Sequence, residues 1–221
     1  MTARVASLYH TTIGKKAVMA ITGIILFGYL VGHMAGNLQI FIGRQKINDY
    51  AHFLHNTPLL LWGTRAVLLV AIILHIWSAY ELAQDAWAAR PVPYARRKDV
   101  ATNYAARTMR WSGPILFLYL VYHILHLTLG AAPGMPYDPE DVYGNLVRGF
   151  QIVPVAVVYI IAMVVVAFHL YHGVWSFFQS LGLNHPKYNR LRRQFATLMT
   201  VVVCGGFVAV PVAVLAGWVR L

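Results

Sequence analysis

The sequence predicts an all-α membrane protein with five transmembrane helices, the first four of which form an up-down bundle. The chain of 221 residues is 59% hydrophobic and only 11% charged, whereas soluble domains carry about 25% charged residues. Five apolar segments are each long enough to cross a bilayer, which takes roughly 20 residues. Polar connections rich in Pro, Gly, Asp and Arg separate these segments.

We expect the five spans to form one membrane-anchor domain over residues 1–221. The connection ARPVPYARRKD at 89–99 cannot continue a helix, because its prolines lack the amide proton. AAPGMPYDPEDVYGN at 131–145 is predicted to be a turn-rich acidic loop, and NHPKYNRLRRQ at 184–194 is a basic link. The predicted spans are about 16–40, 59–84, 111–130, 152–180 and 196–218.

The basic residues predict the orientation, because cytoplasmic loops carry an excess of Lys and Arg. The opposite end carries Asp138, Glu140 and Asp141. We therefore expect a cytoplasmic N-terminus and an external C-terminus. Thirteen of the eighteen basic residues fall at one end of the predicted bundle: Arg4, Lys15, Lys16, six from Arg90 to Arg110 and four from Lys187 to Arg193.

Composition also excludes several classes of function. The net charge of +11 is divided among the connections and forms no single face, so we expect no nucleic-acid binding. The single cysteine, Cys204, excludes a disulfide framework and an Fe–S cluster held by this chain alone. No C-x-x-C-H motif is present for a c-type haem. We expect no cleaved signal peptide, because no short apolar core with a small-residue cleavage site follows the basic N-terminal residues.

An internal repeat places histidines within the spans. MAITGIILFGYLVGH at 19–33 is echoed 90 residues later by MRWSGPILFLYLVYH at 109–123, and each copy ends in a histidine. Ionisable residues inside a membrane are costly and usually face the interior of a bundle. A single histidine would ordinarily be a buried hydrogen-bonding residue, but one on each of four spans indicates a shared site.

Depth sorts these four histidines into two pairs. At about 1.5 Å per residue, His33 and His123 lie roughly 25 and 20 Å above the cytoplasmic boundary. His75 and His169 lie about 14 and 15 Å above it. Each pair comes from two helices that run in the same direction and are therefore diagonal in an up-down bundle. We name His33 and His123 the outer pair, and His75 and His169 the inner pair.

Two facing imidazoles at each of two depths predict two sites for a planar ligand. Zinc would require three or four ligands at one level, whereas a b-type haem is held by two axial imidazoles. We therefore expect one haem b on the outer pair and one on the inner pair. Glycines near these levels either make room for a ring or allow close helix packing; they are Gly23, Gly32, Gly36, Gly113 and Gly173.

Further polar residues are candidates for contacts with the haems. Thr22 and Ser112 precede the outer ligands by eleven residues, so they either contact the inner haem or bond back to their own helix. Arg65 lies near the outer level, where it either pairs with a haem propionate or extends to the interface. His126 and His172 follow ligands by three residues and point about 60° away, which leaves them at most a supporting role.

The motifs, taken in order, resemble a known family. GKKAVMAITGIILFGYLVGHMAGNLQIF, NDYAHFLHNTP, WSGPILFLYLVYHILHL and FHLYHGVWSFFQSLG are similar to the di-haem cytochrome b subunit of succinate:quinone oxidoreductases. The likeness is to the five-helix, single-anchor form of bacterial succinate dehydrogenases and fumarate reductases, and it extends over nearly the whole chain. In that family the first four helices supply the four ligands, which here correspond to His33, His75, His123 and His169.

The resemblance implies a membrane anchor that carries electrons between Fe–S clusters and a membrane quinone, which we expect to be menaquinone. It implies a flavoprotein with FAD and an Fe–S protein as cytoplasmic partners, in a bacterial cytoplasmic (inner) membrane. No catalytic residue for succinate is expected in this chain. One departure is the second span, where LLLWGTRAV carries Arg65 and lacks the acidic residue that some fumarate reductases have near the outer quinone site.

Candidates for a quinone pocket lie at both ends of the ligand-bearing helices. The outer candidates are Asn37, Arg65 and His52, and the alternative for His52 is a solvated loop residue. The inner candidates are Thr12 and Lys16, although the lysine also serves as a topology marker. Two other functions stay open: a di-haem anchor of a hydrogenase or formate dehydrogenase, and a transporter whose histidines relay protons.

Overall fold

The computed structural model describes residues 9, 11–89, 92, 102–132 and 137–221, and every regular element within them is helical. The expected all-α class is therefore confirmed. Short 3-10 turns occupy Leu38–Phe41 and Pro186–Tyr188. The α-helices of the described residues are α1 (Thr12–Asn37), α2 (Arg44–His55), α3 (Pro58–Ala88), α4 (Tyr104–Leu127), α5 (Val142–Gln151), α6 (Val153–Ser180) and α7 (Asn189–Leu215).

Four segments of the described chain are helical, long and apolar enough to cross a membrane, which identifies an integral membrane protein. They are Thr12–Phe41, Pro58–Ala88, Val153–Ser180 and Pro186–Leu215. The remaining long helix, α4, corresponds to the third predicted span. Its first two turns hold Arg107 and Arg110, and its apolar stretch is interrupted by Pro114, His123 and His126.

Two of the observed helices, α4 and α7, begin before the apolar stretches from which their spans were predicted. α4 begins at Tyr104, seven residues before the predicted start, because the side chain of Asn103 caps it by accepting a hydrogen bond from the Ala106 amide at 2.8 Å. α7 likewise begins before its predicted span, at Asn189, and its first residues are rich in arginine. Polar turns continue a helix without adding to its apolar length, so hydropathy underestimates both helices.

Two short helices correct the predicted connections. α2 contains His52, for which a solvated loop was one of the two alternatives raised by the sequence. α5 begins at Val142, within the segment 131–145 that was predicted to be a loop, and the Asp141 side chain caps it. The predicted break at 89–99 lies outside the described residues, apart from Ala89 and Val92.

The helices pack around α1 and α6, which lie side by side. α6 also packs against α4 and α7, and α1 against α3 and α7. Within the described part of the chain, α3 packs closely only against α1 and α2. Helices α1 and α4 therefore lie on one diagonal, and α3 and α6 on the other.

Apolar burial is concentrated on the side of the molecule where α5, α6 and α7 lie. One core cluster joins these helices to α2 and includes Val147, Phe150, Ala156 and Val210. A second cluster lies between α6 and α7. By contrast, only two residues of the 31-residue helix α3 are buried, Ala71 and Ser78. Most of the surface of α3 is therefore exposed.

Asp141 joins α2 to α5 at one end of the molecule. Its carboxylate accepts hydrogen bonds from Arg44 at 2.7 and 3.2 Å, from Asn48 at 3.1 Å and from the Gly144 amide at 3.0 Å. Arg148 adds an ion-pair contact at 3.6 Å. Burial acts to raise the pKa of this carboxyl, but the hydrogen bonds from Gly144, Asn48 and Arg44 and the charge of Arg44 hold it below its ordinary value.

Candidate functional site

The inner pair lies across the diagonal between α3 and α6. The ring centroids of His75 and His169 are 6.3 Å apart, and the ring planes are tilted by 54°. Each histidine lies near the middle of a long helix. The two imidazoles face each other across the gap that α3 and α6 leave between them.

Each inner imidazole is held at Nδ1 by a hydroxyl from a neighbouring helix. The Thr22 hydroxyl lies 3.2 Å from Nδ1 of His75, and the Met19 carbonyl lies at the same distance. The Ser112 hydroxyl lies 3.2 Å from Nδ1 of His169. These contacts leave Nε2 of each ring as the nitrogen that is free to bind a ligand.

The same hydroxyls also bond back to their own helices, which is one of the two alternatives raised by the sequence, and their contact with an inner haem stays a prediction. Thr22 donates to the carbonyl of Val18 at 2.8 Å and contacts that of Met19 at 3.1 Å. Because its one proton is directed at a carbonyl, the Thr22 oxygen can only accept from the imidazole. Nδ1 of His75 therefore carries the proton.

The outer pair lies across the other diagonal, between α1 and α4. The ring centroids of His33 and His123 are 5.9 Å apart and the planes are nearly perpendicular, at 81°. Tyr29 stacks on His33 at 5.4 Å, and Phe207 of α7 contacts the same ring at 5.6 Å. Aromatic side chains thus enclose the outer pair.

The hydrogen bonds of the outer pair differ from those of the inner pair. Nε2 of His33 lies 3.4 Å from the side-chain amide of Asn37, one turn further along the same helix. Nδ1 of His123 lies 3.4 Å from the Tyr159 hydroxyl, which also lies 2.9 Å from Nδ1 of His126. His123 therefore has Nε2 available, whereas the His33 ring must rotate away from Asn37 to present the same nitrogen.

The spacing of both pairs fits a single metal centre between two imidazoles. A metal–imidazole bond is about 2.0–2.1 Å long, so two imidazoles on opposite sides of one metal have ring centroids about 6 Å apart. The observed spacings are 6.3 and 5.9 Å. Within the described residues, no group of three or more His, Cys, Asp or Glu side chains could hold a metal. The structure thus brings two histidines together at each level.

The glycines near the pairs divide into two kinds. A Cβ on Gly32, Gly113 or Gly173 would meet no atom within 4 Å, so these positions border open space. A Cβ on Gly36 would lie 2.9 Å from the Tyr50 ring, so Gly36 serves the packing of α2 against α1. Gly36 is therefore explained by helix packing, whereas the open positions fit both alternatives raised by the sequence.

The other outer candidates lie at the surface of the described chain. The Arg65 guanidinium lies over the Trp62 ring at 4.8 Å, on the same helix. His52 lies near the end of α2, and its Nδ1 is 3.4 Å from a carboxylate oxygen of Glu140. The structure therefore brings neither side chain into contact with the outer pair.

The inner candidates lie at the start of α1. Thr12 and Lys16 are exposed, whereas the neighbouring Lys15 is buried and forms an ion pair with Asp85 of α3 at 2.8 Å. Charge alone did not distinguish the two lysines in the sequence.

Nδ1 of His172 is buried and has no hydrogen-bond partner within the described residues.

Tyr159 is the site residue that sequence reasoning missed. It lies on α6, ten residues before His169, and only 6% of its surface is exposed. A single tyrosine in an apolar span gives no periodic signal, and its partners lie on a different helix. The one available signal was its polar hydroxyl near the depth of the outer pair.

The family comparison agrees with the resemblance seen in the sequence. Residues 93–208, more than half of the chain, match the family model described as the succinate dehydrogenase/fumarate reductase transmembrane subunit. The matched range includes His123 and His169, whereas His33 and His75 precede it. No curated protein and no solved structure matches the chain. The chain belongs to the family of succinate dehydrogenase/fumarate reductase transmembrane subunits.

Proposed function

We propose that this chain is the cytochrome b anchor of a succinate:quinone oxidoreductase and that it holds two haems b. The carrying observation is the two histidine pairs, which lie on the two diagonals with ring spacings of 6.3 and 5.9 Å. Family membership supplies the enzyme class, since these transmembrane subunits belong to an oxidoreductase complex.

The four histidines have distinct roles in this proposal. His75 and His169 bind the iron of the inner haem, and His33 and His123 bind that of the outer haem. When bound, the haems supply one-electron transfer between the two sides of the bundle. Thr22 and Ser112 hold the inner imidazoles with Nε2 facing the gap, and the apolar helices keep water away from both levels.

The proposed topology has five spans in a single membrane domain over residues 1–221, in a bacterial cytoplasmic membrane. α4 forms the third span, because its packing against α6 extends along the same bundle as the four strongly apolar helices. The positive-inside rule then directs the N-terminus to the cytoplasm and the C-terminus outside. Packing within the complex compensates for the lower hydropathy of α4.

The partners in this proposal bind at the cytoplasmic end. An Fe–S subunit would deliver electrons near the inner haem, and a flavoprotein with FAD would carry the dicarboxylate site. Described cations at this end offer a surface for docking: Lys16, Arg107, Arg110, Lys187, Arg190 and Arg193. This chain contributes electron transfer and quinone chemistry, and the partners contribute the reaction of the dicarboxylate in either direction.

The test is a reduced-minus-oxidised spectrum and a pyridine haemochrome assay on the purified complex, with its subunits identified. We expect two non-covalent haems b per copy, together with a flavoprotein and an Fe–S protein. One haem per copy would reject the two-site arrangement, and no haem would favour proton transport by the histidines. A hydrogenase or formate dehydrogenase subunit in the complex would retain the haems but change the enzyme.

A further inference from the structure

Tyr159 connects two histidines of α4 through one hydroxyl. Its oxygen lies 2.9 Å from Nδ1 of His126 and 3.4 Å from Nδ1 of His123. Both Tyr159 and His126 are almost fully buried, with 6% and 4% of their surfaces exposed. The two contacts place a continuous polar chain beside the outer pair, inside an otherwise apolar cluster.

The hydrogen-bonding capacity of the three groups sets the direction of this chain. A phenol has one proton to donate, and the shorter contact directs that proton to Nδ1 of His126. The Tyr159 oxygen then accepts the proton on Nδ1 of His123. With Nδ1 protonated, the free lone pair of His123 is on Nε2, the nitrogen available to bind iron.

Several neighbours hold the chain in place. Phe150 and Tyr119 contact the Tyr159 ring edge-on at 5.0 and 5.3 Å, and Tyr122 stacks on His126 at 5.7 Å. A Cβ on Gly149 would lie 2.7 Å from Nε2 of His126, so only glycine leaves room for that imidazole. The arrangement thus depends on residues of α4, α5 and α6 together.

We propose that Tyr159 is a positioning residue for His123, and that His126 fixes the direction of the Tyr159 hydroxyl. The inference rests on the proposed function, since it concerns an outer haem bound by His123. Loss of the acceptor at Nδ1 makes an imidazole a weaker donor to its metal. The reduction potential of the outer haem therefore rises when the hydroxyl is removed, while the inner haem keeps its own partners.

The experiment compares Tyr159→Phe with Tyr119→Phe in the intact, purified complex. Tyr119 is the matched control, because its ring contacts both His123 and Tyr159 while its hydroxyl has no hydrogen bond to either histidine among the described contacts. The readouts are the potential of each haem and the ferric low-spin electron paramagnetic resonance signals. Haem content of the unchanged complex is measured first, and a complex without two haems rejects the proposed function itself.

We expect Tyr159→Phe to shift the potential and resonance signal of one haem, with the other haem and the Tyr119→Phe complex unchanged. Two unchanged haems in Tyr159→Phe would overturn the inference and leave the proposed function intact. If the Tyr159→Phe complex does not assemble, a comparison of His126→Asn with His126→Leu tests the inference instead. The side-chain oxygen in His126→Asn keeps a hydrogen-bond acceptor near the position of Nδ1. We therefore expect only His126→Leu to alter the resonance signal of the outer haem. Equal outer-haem resonance signals in these two variants would overturn the proposed roles of Tyr159 and His126.

Discussion

The Ser112 hydroxyl lies 3.2 Å from Nδ1 of His169, on the neighbouring helix. Thr22, at the same position in the other copy of the internal repeat, lies 3.2 Å from Nδ1 of His75. Each copy of the repeat therefore provides a hydroxyl to the inner pair, and its final histidine belongs to the outer pair. The repeated apolar segment thus contributes residues to both the inner pair and the outer pair.

We expect Ser112→Ala to disturb the inner haem selectively. The substitution removes the hydrogen-bond partner of Nδ1 of His169, a half-buried imidazole, and a hydrogen bond of this kind contributes about 0.5–1.5 kcal/mol. The potential and resonance signal of the inner haem should shift, while both haems stay bound. Ser176→Ala is the control, because the Ser176 hydroxyl bonds back to its own helix at Gly173. Equal spectra for the two variants would contradict the role of Ser112.

Ligand substitutions should separate into two groups. His75→Ala and His169→Ala each remove one imidazole of the inner pair, so both should abolish or disturb the same spectral component. His33→Ala and His123→Ala should affect the other component. The measurement is a redox-resolved visible spectrum of each purified variant. If His33→Ala and His75→Ala abolish the same signal, the division into an outer and an inner pair is wrong.

The long helices and the diagonal pairs follow from simple regularities of the sequence. Apolar length predicts where a helix crosses a membrane, and a fixed rise per residue converts position into depth. His33 and His123 share one depth and helix direction, and the structure has their rings 5.9 Å apart. Their binding of iron stays a prediction.

The short helices and the hydrogen-bond partners could not be predicted in the same way. α2 and α5 are held by Asp141, whose partners Arg44 and Asn48 are more than 90 residues away in sequence. Tyr159 likewise reaches His123 from a different helix. Such contacts depend on how helices rotate about their axes, which hydropathy and spacing do not determine.

The quinone candidates form two sets that kinetics can distinguish. Substitutions in the set that contacts quinone, such as Lys16→Gln at the inner end or Arg65→Gln at the outer end, should raise KM for quinone. The electron transfer from succinate to an artificial acceptor should stay unchanged, because it bypasses the membrane subunit. Unchanged quinone kinetics for Asn37, Arg65, His52, Thr12 and Lys16 variants would place the pocket elsewhere.

Asp141→Asn should loosen the end of the molecule where α2 meets α5. Asn retains the shape of the helix cap but loses the charge that Arg44 and Arg148 contact. Loss of charge-assisted hydrogen bonds at a nearly buried group costs about 1–3 kcal/mol. The measurement is thermal unfolding of the detergent-solubilised complex by circular dichroism. Asp49→Asn is the control, because the Asp49 carboxylate is exposed and bonds within α2 to Gln45.

The stability that Asp141 contributes should also depend on pH. Folding lowers its pKa below the ordinary value of 3.8, so the folded state favours the charged form. The contribution is therefore fully present above that value and is lost as pH falls through the lower pKa of the folded protein. The difference in Tm between the unchanged complex and Asp141→Asn should narrow as pH is lowered from neutral to below 3.8. A difference that stays constant over this range would show that the carboxylate charge does not stabilise the contact between α2 and α5.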